Sequence, residues 1–222
     1  MNYFLHIDTT GNTATIALSA GGILSDTVVT RESRNHASEI NILIDQLLAQ
    51  NSITLADVTA IAVCGGPGSY TGLRIGLSTA KGLCYALDIP LMMHSKLTLL
   101  AMAAFKTHGQ KFEYYLPVLK AREKEYFTSI YNNRFENITV PVHVSEEELD
   151  DILSKHTNSC TISNDIPEEL ASKYIDSSYV SNNTEIDMQL WAFYSLEEFK
   201  CNNTVNLSTA EPFYLKQVYT HK

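Results

Sequence analysis

Two short stretches carry the residues best suited to chemistry. The apolar run from Tyr3 to Ile7 ends in Asp8, and Thr9, Thr10 and Gly11 follow. A carboxylate at a strand end can hold a magnesium-bound water while turn amides and hydroxyls face phosphate oxygens, although Asp and Thr are also ordinary turn formers. The second stretch, CGGPGSYTGLRIG at 64–76, sets five glycines and a proline in thirteen positions after the apolar run 60–63. A P-loop would end in Gly-Lys-Ser/Thr, but Gly72 is followed by Leu73 and Arg74. The spacing also misses the GxGxxG dinucleotide fingerprint.

Other catalytic constellations are thin. The seven histidines, at 6, 36, 94, 108, 143, 156 and 221, include no HxxxH or HExxH pair, so a local pair of metal ligands is missing. Ser69 lies in GPGSYTG rather than in a GxSxG nucleophile elbow. His36 near a helix start reads as a capping or surface residue, and the acidic run from Glu146 to Asp151 suits a helix N-terminus. No catalytic residue and no metal ligand is assigned on this basis.

The glycine-rich stretch leads into a helix in which Gly72, Gly76, Ala80 and Cys84 recur four apart, with Gly82 nearby. Interior glycines such as Gly76 and Gly82 cost about 1 kcal/mol each relative to alanine. Close approach of another backbone compensates, either inside the chain or on a partner. On the partner reading, a bulky residue at position 76 is expected to wedge the two proteins apart and leave the chain folded.

The elements that position these stretches alternate. Strands at 3–7, 13–18 and 23–30, the last two joined by Gly21-Gly22, form a meander. Ile40, Leu43, Ile44, Leu47 and Leu48 recur at helical spacing in a helix from about Asn35 to 50. A strand at 60–64, a helix at 71–87, a short strand at 90–93 and a helix at 95–106 follow. The second half repeats the order, with strands near 115–120, 125–131 and 138–144, an acidic helix, a strand at 160–163, a short helix after Pro167, a strand near Tyr179 and a helix through 188–199. Two like halves, 1–108 and 109–222, are expected to descend from a duplication, although no residue repeat is visible.

Composition bounds the function. Among 222 residues, 45% are hydrophobic and 18% charged, enough for a sizeable core. The formal charge of −9, with 16 basic residues scattered along the chain, disfavours a broad nucleic-acid footprint, so contact with RNA is expected to lean on a partner. Four cysteines without CxxC spacing, no leader-like N-terminus and no apolar run long enough to span a bilayer point to a cytoplasmic protein with reduced thiols and no membrane contact.

Several stretches taken together are more specific than any one. IDTT at 7–10, GGPGSYTGLRIGLSTAKGL at 65–83, KAREKEYF at 120–127 and AEPFYLK at 210–216 resemble the TsaB (YeaZ) family from end to end. The resemblance implies an α/β chain of the actin-like and sugar-kinase (ASKHA) fold, with two subdomains of β-β-β-α-β-α type. It implies a part in forming N6-threonylcarbamoyladenosine at position 37 of tRNAs that read codons beginning with A. In that family the protein is a non-catalytic dimer partner of TsaD, which transfers the threonylcarbamoyl group, and the ATPase TsaE joins the pair. ATP, threonylcarbamoyl-adenylate and metal then belong to the partner subunits, and tRNA is met through the complex. A separate expectation, not part of the resemblance, is a homodimer through the same glycine face when TsaD is absent.

The same resemblance places helices 35–50 and 71–87 at the contact with TsaD. It assigns His36, Ile40, Leu43, Leu47, Tyr70, Gly72, Leu73, Arg74, Gly76, Leu77 and Ala80 to that interface, and it makes Asp8, Thr9 and Thr10 a vestigial nucleotide loop. Where TsaD-type proteins carry HxxxH, Met93 and Leu97 stand here, with His94 displaced, and a thioether and an isobutyl group do not replace two imidazoles. Lys120 replaces the acid of a motif usually read Asp-Ala-Arg, which puts that acid's role in doubt. The competing expectation is an enzyme, a glycoprotease-like metallopeptidase or an actin-like phosphotransferase built on Asp8.

Overall fold

The computed structural model describes residues 1–30, 36–174, 178–181 and 184–215. The first sheet opens with the meander β1 (Tyr3–Asp8), β2 (Thr15–Ala20) and β3 (Ile23–Val29). Gly21 and Gly22, with φ of 58° and 82°, make the tight turn between β2 and β3 that a side chain would strain. Helix α1 (His36–Gln50) leads to β4 (Val58–Gly66), and α2 (Tyr70–Leu87) leads to β5 (Leu91–Ser95). The strand order is β3-β2-β1-β4-β5, antiparallel through the meander and parallel from β1 to β5.

Alternation along these strands divides the sheet into two different faces. Leu5, Ile7, Ile16, Leu18, Ile61 and Val63 pack against Ile40, Ile44, Leu47 and Leu48 of α1 and Leu77, Ala80 and Cys84 of α2. The opposite face carries Phe4, His6, Ser19 and His94 and is covered by α6 (Met188–Lys200), whose Phe199 and Trp191 rings meet Phe4 and His6.

The second sheet repeats the plan. Strands β6 (Tyr114–Arg122), β7 (Glu125–Asn132) and β8 (Asn137–Ser145) form the meander, then α4 (Glu146–Lys155), β9 (Ser159–Ile162), α5 (Glu168–Lys173) and β10 (Ser178–Ser181) follow. The order β10-β9-β6-β7-β8 is that of the first sheet, strand for strand. Helix α4 starts as its acidic residues suggest: Ser145 Oγ accepts from Glu148 N, and Glu148 reaches back to Ser145 N at 2.7 Å.

By packing, one unit comprises Met1–Ser95 and Met188–Phe213, and the other Lys96–Asp187 and Tyr214–Lys222. This differs from a single cut near residue 108, and the reason lies in the last helix of each half. Helix α3 (Lys96–His108) follows β5 but packs on β6, β7 and β9, while α6 follows β10 but packs on β1, β3 and β5. Each half thus lends its last helix to the other sheet. No helix among the described residues is long and apolar enough to cross a membrane.

Candidate functional site

The turn after β1 and the start of α2 are built against each other. Asp8 Oδ1 accepts from the amide and the hydroxyl of Thr10, at 2.9 and 2.7 Å, so the carboxylate is closed on its own turn. Thr9 Oγ1 donates to the Gly72 carbonyl at 2.7 Å, and the Ser69 amide donates to the Thr10 carbonyl at 2.9 Å. Ser69 Oγ caps the helix by accepting from the Gly72 amide at 3.3 Å.

Sterics explain the glycines of this contact. A Cβ on Gly68 would lie 2.5 Å from the Thr10 carbonyl oxygen. One on Gly72 would overlap the Thr9 carbonyl oxygen, and one on Gly76 would overlap Thr9 Oγ1. Upstream, a Cβ on Gly65 would meet Met93 at 2.7 Å and the Phe213 ring at 2.8 Å, and the Phe213 amide donates to the Gly65 carbonyl. Asp8, Thr9 and Thr10 are all buried, and the hydroxyls that were to face a phosphate serve this internal contact instead.

The stripe expected on the partner face therefore points inward. Gly72, Gly76, Ala80 and Cys84 are buried, and so are Leu73 and Leu77 beside them. On α1, Ile40 and Leu47 belong to the same core and Leu43 is half-buried. The partner assignment of Ile40, Leu47, Gly72, Leu73, Gly76, Leu77 and Ala80 is corrected on this ground, because each is covered by its own chain. His36 begins α1, but its side chain lies outside the described residues.

Tyr70 and Arg74 do face outward. The guanidinium carbon of Arg74 sits 4.3 Å from the centroid of the Tyr70 ring, within cation–π range. The outward row continues through Ser78, Gly82 and Tyr85, with Tyr85 82% exposed and Ile42 of α1 56% exposed. Gly82 has no heavy atom of the described residues within 4 Å of where its Cβ would lie, so nothing among them explains that glycine. These residues were legible in the helical period: 71, 74, 78, 82 and 85 run along the side opposite the buried stripe.

His94 turns into the layer beneath α6. Its Nδ1 accepts from Trp191 Nε1 at 2.7 Å, and burial pushes its pKa down to about 4. His6 is pushed down to about 3, by burial first and then by the nearby His94. Met93 is half-buried and Leu97 buried. Among the described residues no three His, Cys, Asp or Glu side chains are grouped to hold a metal ion. Lys120 and Arg122 are exposed at the β6–β7 hairpin.

Residues 9–207 match the family model described as TsaD: tRNA N6-adenosine threonylcarbamoyltransferase. The chain is 37% identical over 102 residues to the tRNA threonylcarbamoyladenosine biosynthesis protein TsaB of Haemophilus influenzae, covering 46% of this chain and 42% of that one. It is 34% identical over 128 residues to the protein of the same name from Bacillus subtilis, covering 57% and 54%. It is also 40% identical over 82 residues to a tRNA N6-adenosine threonylcarbamoyltransferase of Rhizobium etli, covering 37% of this chain and 22% of that one. The matches thus span about half or less of these curated relatives.

A solved Pseudomonas aeruginosa protein described as similar to the peptidase YeaZ superposes with a TM-score of 0.78 at 21% identity, over 97% of this chain and 100% of that one. A Bacteroides thetaiotaomicron protein with an actin-like ATPase fold gives 0.50 at 9% identity, over 87% and 96%. These likenesses bear out the ASKHA fold. With the family match running from the Asp8 turn to beyond α6, and with relatives named TsaB, the chain belongs to the TsaD-related family as a member of its TsaB (YeaZ) branch.

Proposed function

We propose that this chain takes part in forming N6-threonylcarbamoyladenosine on tRNA as a non-catalytic partner of a TsaD-type transferase. The names of its relatives support the pathway. The observation that carries the non-catalytic part is the Thr9–Gly72 contact. The turn that would cradle a phosphate closes on its own helix, and its carboxylate is bound by its own Thr10. A metallopeptidase reading would need a ligand cluster, and none is grouped among the described residues.

The partner face in this proposal is the outer side of α1 and α2, with Tyr70, Arg74, Gly82 and Tyr85 on α2 and Ile42 and Leu43 on α1. An exposed tyrosine beside an unobstructed glycine lets a second helix approach closely and bury an aromatic ring. The resemblance to TsaB extends the proposal to modification of position 37 in tRNAs reading codons that begin with A, and to TsaE as third member. It also extends to tRNA contact through the complex, to a cytoplasmic location and to self-association through the same face when TsaD is absent. ATP, threonylcarbamoyl-adenylate and metal are assigned to the partners.

Reconstitution tests this. Purified chain, TsaD and TsaE should modify tRNA together, and omission of the chain should abolish modification. Full modification without it, or no TsaD capture by the tagged chain, overturns the proposal. Asp8→Ala separates the enzyme reading: it should leave reconstituted modification intact, whereas metal-dependent hydrolysis by the chain alone that vanishes in Asp8→Ala would favour catalysis.

A further inference from the structure

The layer between the first sheet and α6 is polar where a core is usually apolar. The strand register puts His6, Ala17, Ala62, Cys64 and His94 on one face, and Ser19 joins them through a 2.9 Å contact between its Oγ and His6 Nε2. Trp191 lies over this face, 5.1 Å from the His6 ring and 6.2 Å from the His94 ring between centroids. Ser195 follows one helical turn after Trp191 and is fully buried.

Hydrogen-bond chemistry fixes one proton. The indole N–H of Trp191 donates to His94 Nδ1, and an atom that accepts this bond carries no hydrogen. A neutral imidazole then holds its proton on Nε2. Burial keeps the ring neutral, so His94 Nε2–H is a donor in a residue only 5% exposed, and no atom of the described residues accepts from it. His6 Nδ1 and Ser195 Oγ in the same layer are likewise buried without a partner among the described residues. A buried donor left unmade costs about as much as a hydrogen bond, and proteins answer such groups with ordered water.

We propose that the seam between β1, β5 and α6 is an internal water site, in which ordered water accepts from His94 Nε2–H and completes His6 Nδ1 and Ser195 Oγ. Water suits the donor set better than an ion. A cation is refused by an N–H, and an anion would call for an imidazolium that burial suppresses. The site lies apart from the outer face of α1 and α2 and does not depend on the proposed function.

A high-resolution crystal structure of the full chain should show water within hydrogen-bond distance of His94 Nε2. In solution, nitrogen-15 spectra should place the His94 proton on Nε2, with a cross-peak to water. His94→Asn puts an amide oxygen near the former Nδ1, so it should keep the Trp191 N–H bonded while losing that water. A protein acceptor found directly on Nε2, a proton found on Nδ1, or an Nε2 with no water beside it overturns the proposal. The wild-type measurements decide the matter even if the variant does not fold.

Discussion

Thr9 Oγ1 donates to the carbonyl of Gly72 at 2.7 Å, and the same oxygen stands where a side chain at position 76 would begin. One threonine therefore accounts for two glycines of the stripe. It joins the turn after β1 to the first two turns of α2, and it converts an expected docking surface into an internal joint. Gly76→Leu, which the partner reading expected to leave the chain folded, should unfold it instead.

The stability of the isolated chain measures that joint. Gly76→Ala forces Thr9 aside and should cost about 1–3 kcal/mol, the usual range for overpacking, with Gly76→Leu costing more. Adding Thr9→Ala to Gly76→Ala should restore part of the loss, since the obstructing hydroxyl is removed. Urea unfolding of the four chains reads this directly. A Gly76→Leu chain as stable as wild type would refute the packing.

Gly82 should behave in the opposite way. It is exposed, its Cβ direction is open, and it lies inside a helix, so Gly82→Ala should stabilise the isolated chain by up to about 1 kcal/mol. Gly82→Trp should leave folding intact yet weaken capture of TsaD at least tenfold, and Tyr85→Ala should weaken it too. Thermal melts and pull-down titration check the two halves separately. Normal capture by both variants would move the partner face elsewhere.

Helix α2 shows how much of the fold and of the site the sequence made legible. Its limits and the glycines that interrupt it follow from local pattern, as do nearly all the strands. Which side of it faces in was misread, because small residues fit a partner helix and a neighbouring turn equally well. The decider was the run of Leu73, Leu77 and Ala80 on the same side as the glycines. The exchange of α3 and α6 between the units and the bond from Trp191 to His94, 97 residues away, depend on tertiary packing alone. No local period encodes them.

The buried histidines give the chain an acid weakness. Their native pKa values, about 3 for His6 and about 4 for His94, lie below the ordinary 6.5, so between those limits the unfolded chain binds more protons. Stability is therefore undiminished above pH 6.5 and falls as pH drops toward 4, by about 1.4 kcal/mol per unit for each histidine. Trp191, the one tryptophan of the chain, stacks edge-on to His6 and reports the transition by fluorescence. Unfolding free energies at pH 7, 6, 5 and 4.5 should show the slope, and His94→Gln should flatten it by about half. A flat profile through this range would show that the rings titrate normally.

The thiols should divide in the same way that the core does. No disulfide joins the four cysteines, of which Cys64, Cys84 and Cys160 are buried and Cys201 is exposed just past α6. Burial pushes Cys84 and Cys160 up to about 12, so at neutral pH these two are thiols, the unreactive form, as well as shielded ones. A disulfide-exchange reagent at pH 8 should titrate one equivalent quickly in the native chain and four in denaturant. Cys201→Ser should remove the fast equivalent without shifting the melting temperature, because that side chain packs against solvent. Two or more fast equivalents would mean that the layer under α1 and α2, the layer under α6 that holds Cys64, or the second sheet at β9 opens on the time scale of the reaction, and if the extra equivalent maps to Cys84, the packing that holds Thr9 against α2 is looser than its geometry implies.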